Sequence, residues 1–66
     1  MTEVLMTVEE VAKYLQLNTQ TVSRMAARGE LPAVKIGRHW RFRKETLDSF
    51  LDEQAAKMLA LAGATA

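Results

Sequence analysis

Apolar residues recur with helical spacing in the first part of the chain. Val8, Val11, Ala12 and Leu15 stand at i, i+3, i+4 and i+7, which draws one buried stripe along a helix from about Val8 to Leu15. Thr7-Val8-Glu9-Glu10 opens it with a capping box, in which the Thr7 hydroxyl accepts from the Glu10 amide and the Glu10 side chain accepts from the Thr7 amide. Met6 and Val11 occupy the staple positions around that cap. Gln16-Leu17-Asn18 then breaks the pattern, with Asn18 as N-cap of a second helix and Leu17 and Val22 as a second staple. This helix is expected to reach about Arg28, where Gly29 can take the left-handed conformation that ends a helix. Val22, Met25 and Ala26 form its inward stripe. Gln20, Arg24 and Ala27 then point most directly outward, flanked by Thr19, Thr21, Ser23 and Arg28.

The period changes after Leu31-Pro32. Val34 and Ile36 share one parity, as do Trp40 and Phe42, on either side of a glycine turn. For all four to face one core, the loop must hold an odd number of residues, which predicts Gly37-Arg38-His39. A two-residue Gly37-Arg38 loop would set Ile36 opposite His39 and split the apolar set. On the three-residue register Lys35 and Arg41 share the outer face, with Arg38 and His39 at the tip. The hairpin is then a wing.

From about Lys44 the pattern is helical again. Leu47, Phe50 and Leu51 can close the core, while Glu45 and Asp48 lie near the positive end of the helix dipole. Beyond Asp52 the signal weakens, and the helix is expected to continue to about Leu61, before Gly63 and a frayed tail over residues 62–66. Leu47, Leu51, Met58 and Leu61, interrupted by Gln54, amount to two heptads, fewer than the three or four that define a coiled coil. Two readings stand here: a helix that packs on its own domain and then frays, and a helix that pairs with a second copy. The elements predict a mainly α fold with a small β-hairpin, one domain over residues 1–66 with a core at about 5–51.

Composition narrows the function. A chain of 66 residues is near the lower limit for a core unsupported by disulfide or metal. It has no cysteine, and the single His39 cannot build a metal centre with scattered carboxylates. No cationic segment precedes an apolar run at the start, and no run approaches the roughly 18 apolar residues of a membrane span. The expectation is a soluble, cytoplasmic, nucleoid-associated protein without a metal or other cofactor.

Net charge is only +1, but its distribution is uneven. Residues 1–18 set Lys13 against Glu3, Glu9 and Glu10, for −2. Residues 19–44 set Arg24, Arg28, Lys35, Arg38, Arg41, Arg43 and Lys44 against Glu30, for +6, and residues 45–66 set Lys57 against Glu45, Asp48, Asp52 and Glu53, for −3. A basic middle between acidic ends is the footprint of a compact nucleic-acid reader and also of a solvated charged face.

Two short helices joined by a three-residue turn make a helix-turn-helix, whose second helix can enter a major groove, although plain helical hairpins share the spacing. In that setting Gln20 can pair bidentately with adenine, and Arg24 with guanine or a phosphate. Thr19, Thr21 and Ser23 suit phosphates near a helix N-terminus but also serve as local caps, Thr21 above all. Lys35, Arg38, Arg41 and Arg43 would neutralise phosphates, with Arg28 beside them and His39 touching the backbone from the tip. Trp40 and Phe42 are expected in the core, by their parity with Val34 and Ile36. Tyr14, at the edge of the first stripe, either reaches a phosphate or stays in water. Glu9-Glu10 and Asp52-Glu53 have no histidine, nucleophile or glycine loop beside them, so no catalytic constellation is visible and no small-molecule ligand is expected.

Thr7-Val8-Glu9-Glu10-Val11-Ala12, Thr21-Val22 and the run from Arg28 to Arg43 together resemble the excisionase-type DNA-binding domain. This small winged helix-turn-helix family is related to the DNA-binding domains of MerR-like regulators. The resemblance covers roughly residues 5–51 and implies a second helix in the major groove of double-stranded DNA and a wing along the backbone or in the adjacent minor groove. It places the family's groove contacts on Thr19, Gln20, Ser23 and Arg24. Members often carry arginine where this chain has Thr19 and Gln20, and a larger residue where it has Ser23, so this helix has fewer cationic reading groups. Recombination or transcription control is implied, with several copies on neighbouring sites and an integrase or RNA polymerase as further partners. The alternative is a protein-interaction module that offers the same basic face to an acidic partner.

Overall fold

In a computed structural model, residues 4–63 are described, with side chains over residues 4–61. The elements run β1 (Leu5–Met6), α1 (Val8–Leu15), α2 (Thr19–Ala27), β2 (Val34–Ile36), β3 (His39–Arg43) and α3 (Lys44–Gly63). A three-stranded antiparallel sheet in the order β1-β3-β2 packs against the helices. The fold is therefore mainly helical with a small sheet, a winged helix-turn-helix.

Caps define the helix pair. Glu10 N donates to Thr7 Oγ1 at 3.1 Å and Thr7 N to Glu10 Oε1 at 2.8 Å, the reciprocal box expected from the sequence. At the other end Gln16 turns left-handed at φ 59°, and Leu17 N donates back to Ala12 O at 2.7 Å. Asn18 Oδ1 accepts from Gln20 N at 2.7 Å and starts α2. Gly29, at φ 74°, ends it, with Gly29 N on Ala26 O and Glu30 N on Met25 O, the paired bonds of a Schellman turn.

The core is one cluster of Met6, Val11, Ala12, Val22, Ala26, Leu31, Phe42 and Leu47. Phe42 and Leu47 are fully buried, and a large apolar side chain so placed contributes about 1.5–3 kcal/mol. Trp40, Phe50, Leu51, Val8, Leu15 and Met25 pack around them. Met6 and Val11 both join this core, as a staple would, whereas Leu17 stays outside it, 41% exposed.

The hairpin corrects the register expected from parity. Val34 pairs with Arg41, Lys35 with Trp40 and Ile36 with His39, so the loop is the two residues Gly37-Arg38. Gly37 has φ 64° while Arg38 does not share its positive φ, the pattern of a type II′ turn with glycine first. Turn chemistry thus prevails over apolar parity. Its consequence is a split set: Trp40 and Phe42 face inward, while Val34 and Ile36 are 51% and 56% exposed on the outer face with Arg41. Lys35 moves to the face of Trp40, its Nζ 5.2 Å from the ring centroid.

β1 has no counterpart in the sequence reading. Leu5 pairs with Arg43 and Met6 with Phe42, and Lys44 N donates to Val4 O at 2.9 Å, so the residues before α1 clamp the junction between β3 and α3. A second clamp ties α1 to α3. The Tyr14 hydroxyl donates to Asp48 Oδ1 at 2.6 Å, and Lys44 Nζ lies 2.9 Å from Asp48 Oδ2 and 5.5 Å from the Tyr14 ring centroid. The bond to Asp48 raises the Tyr14 and Lys44 pKa values, and the Lys44 ammonium followed by the Tyr14 hydroxyl lowers that of Asp48. Tyr14 is thus 46% exposed and stays in water, as one of the two expectations had it, with its hydroxyl held by Asp48 rather than aimed at a phosphate.

Beyond Leu51 every described side chain of α3 is exposed, although the helix continues to Gly63 without a break at Asp52. Met58 and Leu61 are 67% and 69% exposed. Of the tail expected to fray, residues 62 and 63 still belong to the helix, and residues 64–66 lie outside the described residues.

Candidate nucleic-acid interface

The N-terminal turns of α1 and α2 and the tip of the hairpin enclose an open groove of about 550 Å³. From α2 come Thr19, Gln20, Ser23 and Arg24, which occupy its outward side because Val22 and Ala26 hold the inward side in the core. From the hairpin come Arg38, His39, Trp40 and Arg41, and from α1 Val8 and Glu9. The two-residue turn puts Arg38 at the apex and His39 as the first residue of β3.

The geometry is that of a polar cleft with a cationic rim. Arg41 is oriented by its own strand, Nη1 donating to Trp40 O at 2.8 Å. The side chains of Arg24, Arg38, Gln20 and Glu9 make no hydrogen bond or ion pair among the described residues. Three guanidinium groups in one cleft, with an amide and two short hydroxyls between them, can bind phosphate oxygens and the edges of bases. Among the described residues no group of His, Asp and Glu could hold a metal ion.

Of the residues singled out from sequence, Thr19, Gln20, Ser23, Arg24, Arg38, His39 and Arg41 are brought together here. Thr21, Arg28, Lys35 and Arg43 do not line the groove. Thr21 is half-buried on the flank of α2, and Arg28 caps its C-terminal end, away from the cleft at the N-terminal turns. Lys35 lies against Trp40, and Arg43 lines a smaller recess with Pro32, Ala33, Val34 and Thr46. Sequence reasoning missed Val8, Glu9 and Trp40 as groove residues. The apolar patterns assign Val8 and Trp40 to the core, and each does pack on the core with one side while lining the cleft with another. Glu9 carried a usable signal, since Glu10 alone completes the capping box and leaves the neighbouring carboxylate without a structural bond.

A helix pair whose second helix presents a polar face beside a cationic hairpin tip defines a winged helix-turn-helix domain of the DNA-binding class. The chain belongs to the helix-turn-helix domain family, whose model matches residues 5–55. It is also similar to two Mycobacterium tuberculosis proteins, from strains CDC 1551 / Oshkosh and ATCC 25618 / H37Rv, each named "Putative DNA-binding protein". Each is 40% identical over 48 residues, covering 73% of this chain and 62% of the relative's own length. No solved structure matches the chain.

Proposed function

We propose that the chain binds double-stranded DNA through this groove, as a non-enzymatic protein of excisionase or small-regulator type. The observation that carries the reading is the convergence of Gln20, Ser23 and Arg24 with Arg38 and Arg41 on one cleft, from elements more than ten residues apart in sequence. Thr19, Gln20, Ser23 and Arg24 read base edges in the major groove, and Arg38, His39 and Arg41 hold the backbone. Lys35, Arg43, Arg28 and Thr21 act outside the cleft, as secondary phosphate contacts. The names of the two mycobacterial relatives favour the same reading.

Recombination or transcription control in the bacterial cytoplasm is the proposed setting, with an integrase or RNA polymerase as the protein partner. Copies on neighbouring sites would meet through the distal half of α3, where Met58 and Leu61 prolong the Leu47 and Leu51 line into solvent. That extension supports self-association over a helix that frays at Asp52.

Titration against a mixed-sequence duplex at two salt concentrations tests the function. Binding is expected at low salt, falling steeply as salt rises because each neutralised phosphate releases counterions. Absence of binding at low salt would contradict it and return the basic face to an acidic protein partner.

A further inference from the structure

Glu9 is out of place in a cleft built for phosphate. It lines the groove with Arg24, Arg38 and Arg41, it is exposed, and its side chain has no partner among the described residues. Its neighbour Glu10 supplies the capping bond to Thr7 N, so Glu9 is not needed for that bond. A carboxylate is an acceptor only. In the groove it repels phosphate oxygens and the acceptor edge that guanine shows in the major groove, and among major-groove base edges it accepts only from the amino groups of cytosine and adenine.

Resting on the DNA-binding reading, we propose that Glu9 is a specificity-determining residue. It weakens sequence-independent binding along the backbone and favours sites that bring an exocyclic amino group of cytosine or adenine to the N-terminal turn of α1. Specificity is a difference of affinities, and a repulsive group that only the right partner satisfies enlarges that difference. The scarcity of cationic readers on α2, where Arg24 is the one cation among Thr19, Gln20, Ser23 and Arg24, makes such a filter useful.

The test compares Glu9→Gln with Glu10→Gln. Both remove one negative charge from the same helical turn, and in the Glu10→Gln control the new amide oxygen can still accept from Thr7 N, so the capping box survives. Affinity is measured against a mixed-sequence duplex and against the duplex that the parent chain enriches most from a randomised library. Glu9→Gln is expected to tighten binding to the mixed duplex by about threefold to tenfold and to steepen its salt dependence by up to about one. The enriched duplex gains less, so the ratio between the two falls, while Glu10→Gln changes that ratio by less than about twofold. A purely structural role at the helix dipole would instead lower the melting temperature and loosen both complexes. Unchanged affinity of Glu9→Gln for the mixed duplex, an equal gain on both duplexes, or an equal loss on both would overturn the inference. Failure of the parent chain to bind any duplex at low salt would remove the DNA reading itself, and this role with it. Binding by the parent with an unaltered affinity in Glu9→Gln removes only the role of Glu9.

Discussion

The helix pair and the hairpin build the same groove, yet they are held in place by different means. α1 and α2 are defined at their ends by side-chain and left-handed caps at Thr7, Gln16, Asn18 and Gly29, and along their length by Val11, Ala12, Val22 and Ala26 in the core. The hairpin has a three-residue strand, β2, none of whose side chains is buried, so its placement depends on the turn at Gly37 and on the pairing of β3. Many redundant determinants position α2. Few position the wing.

That difference has a measurable form. Gly37→Ala places a Cβ at φ 64°, where open space surrounds it but the left-handed backbone costs an L residue about 1–2 kcal/mol. The loss should appear in urea unfolding, and because the turn carries Arg38 into the groove, binding to any duplex should weaken with it. A turn indifferent to this substitution would remove the glycine as the determinant of register. Asn18→Ala strikes the corresponding point of the helix pair, deleting the 2.7 Å bond to Gln20 N. A loss of about 1 kcal/mol is expected in the same measurement, with less effect on DNA affinity because Val22 and Ala26 still hold α2. A larger affinity loss for Asn18→Ala than for Gly37→Ala would invert the comparison.

The same contrast explains what could be read from sequence. Capping boxes and 3.6-residue stripes are local, so Val8–Leu15 and the start of α2 are visible in the order of residues alone. The register of the hairpin is not, because parity assumes that Val34 and Ile36 belong to the core, and the domain fills its core without them. Leu31, in the connection after Gly29, is part of that core, whereas Val34 and Ile36 are exposed. β1 is only two residues long and exists through its pairing with β3, which leaves no periodic trace. The α2 and wing residues of the groove follow from the helix-turn-helix pattern, but the arrival of Val8 and Glu9 beside them is tertiary. Tyr14 is a similar case, since its partner Asp48 is 34 positions away.

The central claim is that hairpin and helix act on DNA as one groove, and salt-dependent titration of Arg38→Ala/Arg41→Ala tests it most directly. The account predicts binding weakened by about tenfold or more on every sequence, with a salt slope reduced by about two, and no change in the preferred duplex. Affinity and slope equal to those of the parent chain would contradict it.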